Sequence, residues 1–400
     1  MLALADIQAA RERLGSRIYK SPCAYSETFS RRSGTRALFK LENLQMTGSF
    51  KERGALNKIL QLSGAEKQRG VVAASAGNHA QAVAYICGQE DIRSTIFMPR
   101  RTPLIKIANT RDYGAEVILE GDSFDDAFQL AMAFQKETGA TFLHPFDDDQ
   151  VIAGQGTLAL ELIEQIPDLE VVVCPIGGGG LISGIGIALK ELRPKARLIG
   201  VQAAAVPSMH RSLAEGRPVR VQSSDTIADG IAVKRPGERT FEYVQRYVDD
   251  VVCVDEEEIA NAILLLLELE KTVVEGAGAT PFAAVYNRHI TAAKNRKTVM
   301  ILSGGNIDVN LLSRIIERGL AKDGRLMRLS LRLRDEPGAL AQLLLQVGET
   351  QANVLEVHHN RAFNSVDLDE VGVELTLETR GREHAEEIRT LLSRNGYAEL

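Results

Sequence analysis

The stretch VVVCPIGGGGL, residues 171–181, decides how the chain is read. Val171 to Ile176 is an apolar, β-branched run of the length of one buried strand. Gly177, Gly178, Gly179 and Gly180 follow it directly, and a helical pattern opens near Leu181. Four consecutive glycines cost chain entropy. They suit a turn whose backbone approaches a ligand closely and presents several N–H donors to a phosphate at a helix N-terminus. No GKS or GKT sequence follows, and contiguous glycines fit neither the P-loop nor the dinucleotide fingerprint. A plain tight turn is the other reading.

Working outward, similar runs recur at Val71 to Ser75, Ser94 to Met98, Glu116 to Leu119, Thr141 to His144, Leu198 to Ala203 and Thr298 to Ser303, with helical stretches between them. This alternation predicts an α/β fold with a parallel sheet covered on both faces. Gly114 and Gly139 fall where helices should stop. Four hundred residues call for two or three folding units. After Arg325 the pattern changes to strand, helix, strand, strand, helix: Met327 to Leu333, Ala339 to Gly348, Ala352 to Arg361, Glu370 to Glu378 and Arg382 to Asn395. That order is ferredoxin-like, and the polar link Ala321 to Arg325 is the expected boundary.

A formal net charge of −6, with both signs scattered, offers no basic stripe for nucleic acid or an anionic membrane surface. Cys23, Cys87, Cys174 and Cys253 form no CxxC pair. Charged residues Asp6, Arg11, Glu12 and Arg13 interrupt the N-terminus, so neither a secretory signal nor a membrane span is expected, and the cytoplasm is the expected compartment.

Three further segments carry residue types suited to chemistry. Gly48-Ser49-Phe50-Lys51-Glu52-Arg53-Gly54-Ala55 sets one lysine among small and apolar neighbours. A surface lysine at a helix start explains it equally well, but a desolvated lysine becomes a nucleophile for a carbonyl. Ser75-Ala76-Gly77-Asn78-His79 turns a strand into a helix whose first N–H groups favour an anion such as a carboxylate; an Asn cap and a Ser turn are the bland alternative. Leu302-Ser303-Gly304-Gly305-Asn306 ends the last long strand. In open α/β sheets ligands gather beyond the carboxyl ends of strands, so the Ser75, Gly177 and Ser303 turns can converge on one site.

Taken in order, SFKERGA, SAGNHAQ, GGGGL and LSGGN closely resemble the threonine and serine dehydratases of the tryptophan synthase β-like, fold type II pyridoxal phosphate family, over nearly all of residues 1–320. The resemblance implies a catalytic domain at 1–325 built of two α/β subdomains, the smaller inserted at roughly 42–145, and pyridoxal 5'-phosphate as cofactor. It makes Lys51 the Schiff-base lysine and sets Phe50 against the cofactor ring. It assigns Asn78 to the ring hydroxyl, Gly177 to Gly180 with Leu181 to the phosphate, and Ser303 to the pyridine nitrogen. Ser75, Ala76, Gly77 and His79 would line the substrate carboxylate. Glu275, in VEGAGA, and Asp229, in ADGIAV, lie in matching segments, as active-site carboxylates or as a helix-start and a turn residue.

The implied reaction expels the β-hydroxyl of L-threonine, or of L-serine, as water, and the aminocrotonate or aminoacrylate released then hydrolyses to a 2-oxoacid and ammonia. Related racemases carry a serine where Ala76 stands, and alanine has no proton to deliver, so dehydration is favoured over racemisation. A β-replacing synthase is a third possibility, and a non-enzymatic amino-acid sensor a fourth. Gln202 stands where some relatives have a metal-binding carboxylate, so no metal is assigned. Residues 326–400 resemble a ferredoxin-like (βαββαβ) ACT regulatory domain through RDEPGAL and ANVLEVHHNR. An amino-acid effector near Pro337 to Leu340 and Asn353 to Val357 follows from that likeness, as does a homo-oligomer, dimer or tetramer. His358 and His359 are adjacent on a strand and so point to opposite faces, unsuited to sharing one ion.

Overall fold

A computed structural model describes residues 1–222, 224–361 and 367–400. The chain divides into two compact units, Met1–Ile307 and Asp308–Leu400. The link at 321–325 lies inside the second unit, running from the end of the helix Val309–Lys322 to the strand Leu326–Arg334, and the division between the units precedes that helix.

The first unit holds two sheets. The larger runs in spatial order Cys23–Tyr25, Arg36–Leu41, Lys297–Leu302, Val171–Pro175, Arg197–Ala203 and Asp250–Val254. All its neighbours are parallel except the first pair. The smaller is wholly parallel: Glu116–Leu119, Ser94–Met98, Val71–Ala74, Thr141–Phe142. Val71–Ala74, Ser94–Met98 and Val171–Pro175 are buried at every position, as strands covered on both faces must be, which explains continuous apolar runs in place of alternation.

The strand at Arg36–Leu41 escaped the sequence reading because it carries Lys40, a residue type almost never buried without a partner. Here Lys40 is fully buried, its Nζ 2.6 Å from Glu161 and 2.7 Å from the Ser21 carbonyl. Arg53 completes the cluster, 2.8 Å from Glu42 and 2.6 Å from Glu161. Burial disfavours its charge, but the two carboxylates more than offset this and raise its pKa. Thr141 to His144, expected as one strand, stops at Phe142 because His144 folds the chain into a turn.

Helix Asp149–Gln165, capped by the Asp148 carboxylate, is the spine of this unit. On one side it lies backbone to backbone against helix Lys51–Ile59: a Cβ on Gly154 would sit 2.4 Å from the Arg53 carbonyl oxygen. On the other it meets helix Gly180–Leu192 as closely, for a Cβ on Gly184 would sit 2.4 Å from the Ile152 carbonyl.

The second unit has a three-stranded antiparallel sheet, Leu326–Arg334, Glu370–Glu378, Asn353–Asn360. Helices Ala339–Glu349 and Arg382–Arg394 bury Leu343, Val347, Ile388 and Leu392 with Leu329, Leu331, Val373 and Leu375 of the strands. A short antiparallel bridge joins Glu399 to Leu331 on the outer side of the first strand. Among the described residues no helix is long and apolar enough to cross a membrane.

Replacing Gly154 by alanine drives a methyl group into a backbone oxygen that has nowhere to move. The Gly154→Ala protein should lose about 1–3 kcal/mol of stability, read as a lower urea midpoint for the transition that includes the first unit.

Candidate active site

Lys51 is the first residue of its helix, and the turn before it is laced to the Ser303 turn. Phe50 N–H donates to the Ser303 carbonyl at 3.1 Å, Gly305 N–H to the Gly48 carbonyl at 2.9 Å, and Ser49 pairs with Gly304. The Lys51 ammonium donates to the Pro145 carbonyl at 2.8 Å and lies 5.3 Å from the centre of the Phe50 ring. Burial pulls its pKa down to about 8, against a smaller opposing pull from Glu275. The lysine is therefore desolvated, as a carbonyl nucleophile requires, and is not a surface helix-start residue.

Asn78 opens the helix that follows strand Val71–Ala74. Its amide nitrogen donates to both Glu275 oxygens, at 2.7 and 3.0 Å, while its oxygen accepts from Asn306 Nδ2 at 2.7 Å. Asn306 also donates to the Thr47 carbonyl at 2.7 Å, tying together the turns that carry Lys51, Asn78 and Ser303. Glu275, at the N-cap of helix Gly276–Tyr286, is buried. Burial first, then the nearby Asp229 charge, push its carboxyl up to about 7. Asp229 itself is more than half exposed and pairs with Lys106 at 2.6 Å. The structure thus draws Glu275 into the site and leaves Asp229 at its rim, one carboxylate removed.

The glycine turn follows strand Val171–Pro175, as its sequence suggests. A Cβ on Gly178 would fall 2.3 Å from the Phe146 ring, and Gly179 has φ of +97°, a conformation that disfavours side chains. Thr240 Oγ1 donates to the Gly178 carbonyl at 2.6 Å and steadies the loop. Leu181 is buried in the core, so its side chain serves packing and its backbone is what it can offer a ligand. The Ser303 side chain is buried. The Ser49 hydroxyl is buried without a partner.

In the substrate loop, the ring and the backbone of His79 face different partners. His79 turns its side chain into the protein, with Nε2 2.8 Å from the Leu143 carbonyl. Burial, aided by Lys51, lowers its pKa to about 3. The neutral ring brings no charge to a carboxylate, so the His79 backbone is the better suited to that role. Ser75 Oγ accepts from Gly77 N–H at 3.2 Å, and Ser75, Ala76 and Gly77 are half-buried. First-turn N–H groups of a helix have no intrahelical acceptor, so this loop can hold an anion by its backbone.

Gln202 donates to the Ile176 carbonyl at 3.2 Å and accepts from His210 N–H at 2.9 Å, which uses both ends of its amide within the fold. His358 and His359 are both exposed on the edge strand. Among the described residues no cluster of three or more metal-ligating side chains is present.

The sequence reading passed over Pro145, Phe146 and Asn306. Asn306 was visible in LSGGN. The HPFDDD stretch at 144–149 carried a signal only in its proline and its run of acids, which read as a loop.

A desolvated lysine, a side-chain-free loop at a helix start, the buried Ser49 hydroxyl without a partner and the Ser303 side chain at the adjoining turn fit pyridoxal phosphate: amine for aldehyde, backbone N–H for phosphate, hydroxyl for ring nitrogen. Residues 15–304 match the family model for pyridoxal-phosphate dependent enzymes, and the chain belongs to that family. It is 52% identical over 397 residues to L-threonine ammonia-lyase of Thermotoga maritima, covering 99% of this chain and 98% of the relative. It is 46% identical over 315 residues to L-threonine dehydratase catabolic TdcB of Escherichia coli K12, covering 78% of this chain and 96% of the relative. The solved structure of maize serine racemase superposes with a TM-score of 0.75 at 34% identity, covering 80% of this chain and 98% of that one.

The depressed Lys51 pKa has a direct consequence. With no cofactor bound, acylation of Lys51 should rise through a midpoint near pH 8, against about 10.4 for an ordinary lysine. Glu275→Gln removes a charge that favours the ammonium, so the midpoint should fall further. Peptide mapping of the labelled lysine as a function of pH reads both.

Proposed function

We propose that the chain dehydrates L-threonine to aminocrotonate, which takes up water after release to give 2-oxobutyrate and ammonia, and acts on L-serine to give pyruvate and ammonia in the same way. The observation that carries this is the Lys51 amine, half-buried and desolvated to a pKa near 8, together with an alanine at position 76. An amine with that pKa is neutral often enough at physiological pH to accept a proton from the substrate Cα. The 52% identity to an L-threonine ammonia-lyase over nearly the whole chain supports the same reading.

Bound pyridoxal phosphate supplies the electron sink for the pair left behind when Cα loses its proton. The protein's part is positional and electrostatic. Lys51 holds the cofactor and then moves the Cα proton. The N–H groups of Gly177 to Gly180 and Leu181 hold the phosphate. Asn78, its amide fixed by Glu275 and Asn306, meets the ring hydroxyl. The Ser303 hydroxyl would hold the ring nitrogen as a neutral partner, which would not keep a proton there as a carboxylate does, and that would favour elimination over transamination. Backbone groups of residues 75–79 take the substrate carboxylate.

The similarity to maize serine racemase makes racemisation the second reading. Ala76 weighs against it, having no proton to return to the opposite face of Cα.

Residues 326–400 act, in this reading, as an ACT-type regulatory domain. The strand order 1-3-2, with the bridge of Glu399 to the outer side of the first strand, supports this reading, since a ferredoxin-like sheet runs 4-1-3-2. An amino acid bound near Pro337 to Leu340 and Asn353 to Val357 would modulate activity, and the assembly would be a dimer or tetramer in the cytoplasm.

The purified protein with pyridoxal phosphate should release 2-oxobutyrate from L-threonine, and Lys51→Ala should lower kcat by about a thousandfold or more. Ser303→Asp should slow elimination; an undiminished rate would overturn the role given to Ser303. D-serine formed from L-serine as fast as pyruvate would overturn the preference for dehydration. Calorimetric titration of the full chain with amino acids, repeated on Asn353→Ala, tests the effector site: binding should weaken in the variant.

A further inference from the structure

The loop 144–149 contributes two atoms to the centre of the site yet has no assigned part in it. The Pro145 carbonyl accepts the Lys51 ammonium at 2.8 Å, and the Phe146 ring packs where Gly178 has no side chain. One side chain fixes both. His144 Nδ1 accepts from two successive backbone N–H groups, Asp147 at 2.8 Å and Phe146 at 3.3 Å, and so bends the chain around Pro145. We propose that His144 is a positioning residue: its neutral imidazole holds the turn that presents the Pro145 carbonyl as the resting acceptor for the Lys51 amine whenever that amine is not bonded to the cofactor.

The chemistry of the ring requires a particular tautomer. An Nδ1 that accepts two N–H groups carries no proton, so the ring proton sits on Nε2. Protonating Nδ1 would set a donor against two donors and open the turn. The surroundings oppose that protonation. Phe146 stands perpendicular to the imidazole at 4.7 Å, with Phe142 at 6.0 Å and Phe128 at 6.1 Å. Asp147 and Asp148 favour the charged ring, while Lys51, Arg239 and the neighbouring His79 add no negative charge. Burial outweighs the two aspartates and lowers the His144 pKa to about 4. The ring therefore stays neutral throughout the range in which Lys51 titrates.

The acceptor matters for catalysis because a lysine freed by the substrate has a long, flexible side chain. A fixed carbonyl oxygen within hydrogen-bond reach orients the amine without donating a competing proton, and proline contributes no N–H of its own. This inference rests on Lys51 being the lysine that carries the cofactor. Its test separates the two ideas: borohydride failing to fix pyridoxal phosphate on Lys51 of the unaltered protein would remove that reading, whatever the His144 variants do.

The test compares His144→Leu, which leaves two buried N–H groups unpaired, with His144→Asn, whose side-chain oxygen can take the place of Nδ1. In His144→Leu the pH midpoint for acylation of Lys51 in the cofactor-free protein should shift downward, since the amine loses an acceptor for its charged form. The dissociation constant for pyridoxal phosphate should rise about tenfold, the scale of leaving a buried donor unpaired. His144→Asn should return both quantities to within about threefold of the unaltered protein. Equal damage in both variants, or an unchanged midpoint and affinity in His144→Leu, overturns the proposal. If His144→Leu does not fold, nitrogen-15 NMR of histidine-labelled holoenzyme decides. An Nε2–H ring that stays neutral down to about pH 5 supports the proposal, and an Nδ1–H ring, or titration near the ordinary value of about 6.5, overturns it.

Discussion

The constraint on which the rest of this protein depends is the backbone-to-backbone approach of helix Asp149–Gln165 to its two neighbours. Gly154 against the Arg53 carbonyl and Gly184 against the Ile152 carbonyl leave no room for a methyl group at either crossing. One neighbour begins at Lys51 and the other at Gly180, at the end of the glycine turn. A single rigid element thus sets the distance between the nucleophile and the phosphate cradle, two groups far apart in sequence. Interiors packed as densely as crystals transmit such constraints without slack, so the geometry of the site is largely an outcome of helix packing.

The buried ion cluster serves the same alignment. Arg53 is two residues beyond Lys51, and its partners Glu42 and Glu161 belong to the turn that follows strand Arg36–Leu41 and to the spine helix. Burial alone would favour neutral Glu42, yet Arg53 and Lys40 hold it ionised. Such a cluster adds little net stability compared with an apolar core, but removing one member strands a charge in a dry interior at about 3–5 kcal/mol. Its value here is directional: it specifies which way the Lys51 helix is turned about its own axis.

How much of this was legible in the sequence depends on what each residue does. The strands at Ser94–Met98, Val171–Pro175 and Glu370–Glu378 were readable because burial on one or both faces writes itself into apolar pattern. The Lys51, Asn78, glycine and Ser303 turns were readable because their residue types are unusual where they stand. Strand Arg36–Leu41 was not, since Lys40 looks like a surface residue until Glu161, more than a hundred positions later, is seen beside it. The inward turn of His79 was equally hidden, because its acceptor is a carbonyl on Leu143, and backbone atoms leave no mark on composition. Pro145 and His144 escaped for the same reason: they act through main-chain groups of their neighbours.

The pairing of Arg36–Leu41 with Lys297–Leu302 bears on how the chain is made. A segment translated among the first tenth of the polypeptide finds its parallel neighbour only after some two hundred and sixty further residues have left the ribosome. Until then its inner edge has no backbone partner, and contacts of such long sequence separation form slowly. Residues 71–142 contain all four strands of the smaller sheet in one contiguous stretch, so they can assemble during synthesis. The nascent molecule would then carry a finished island ahead of an open seam, and the seam is where a chaperone would have most to shield.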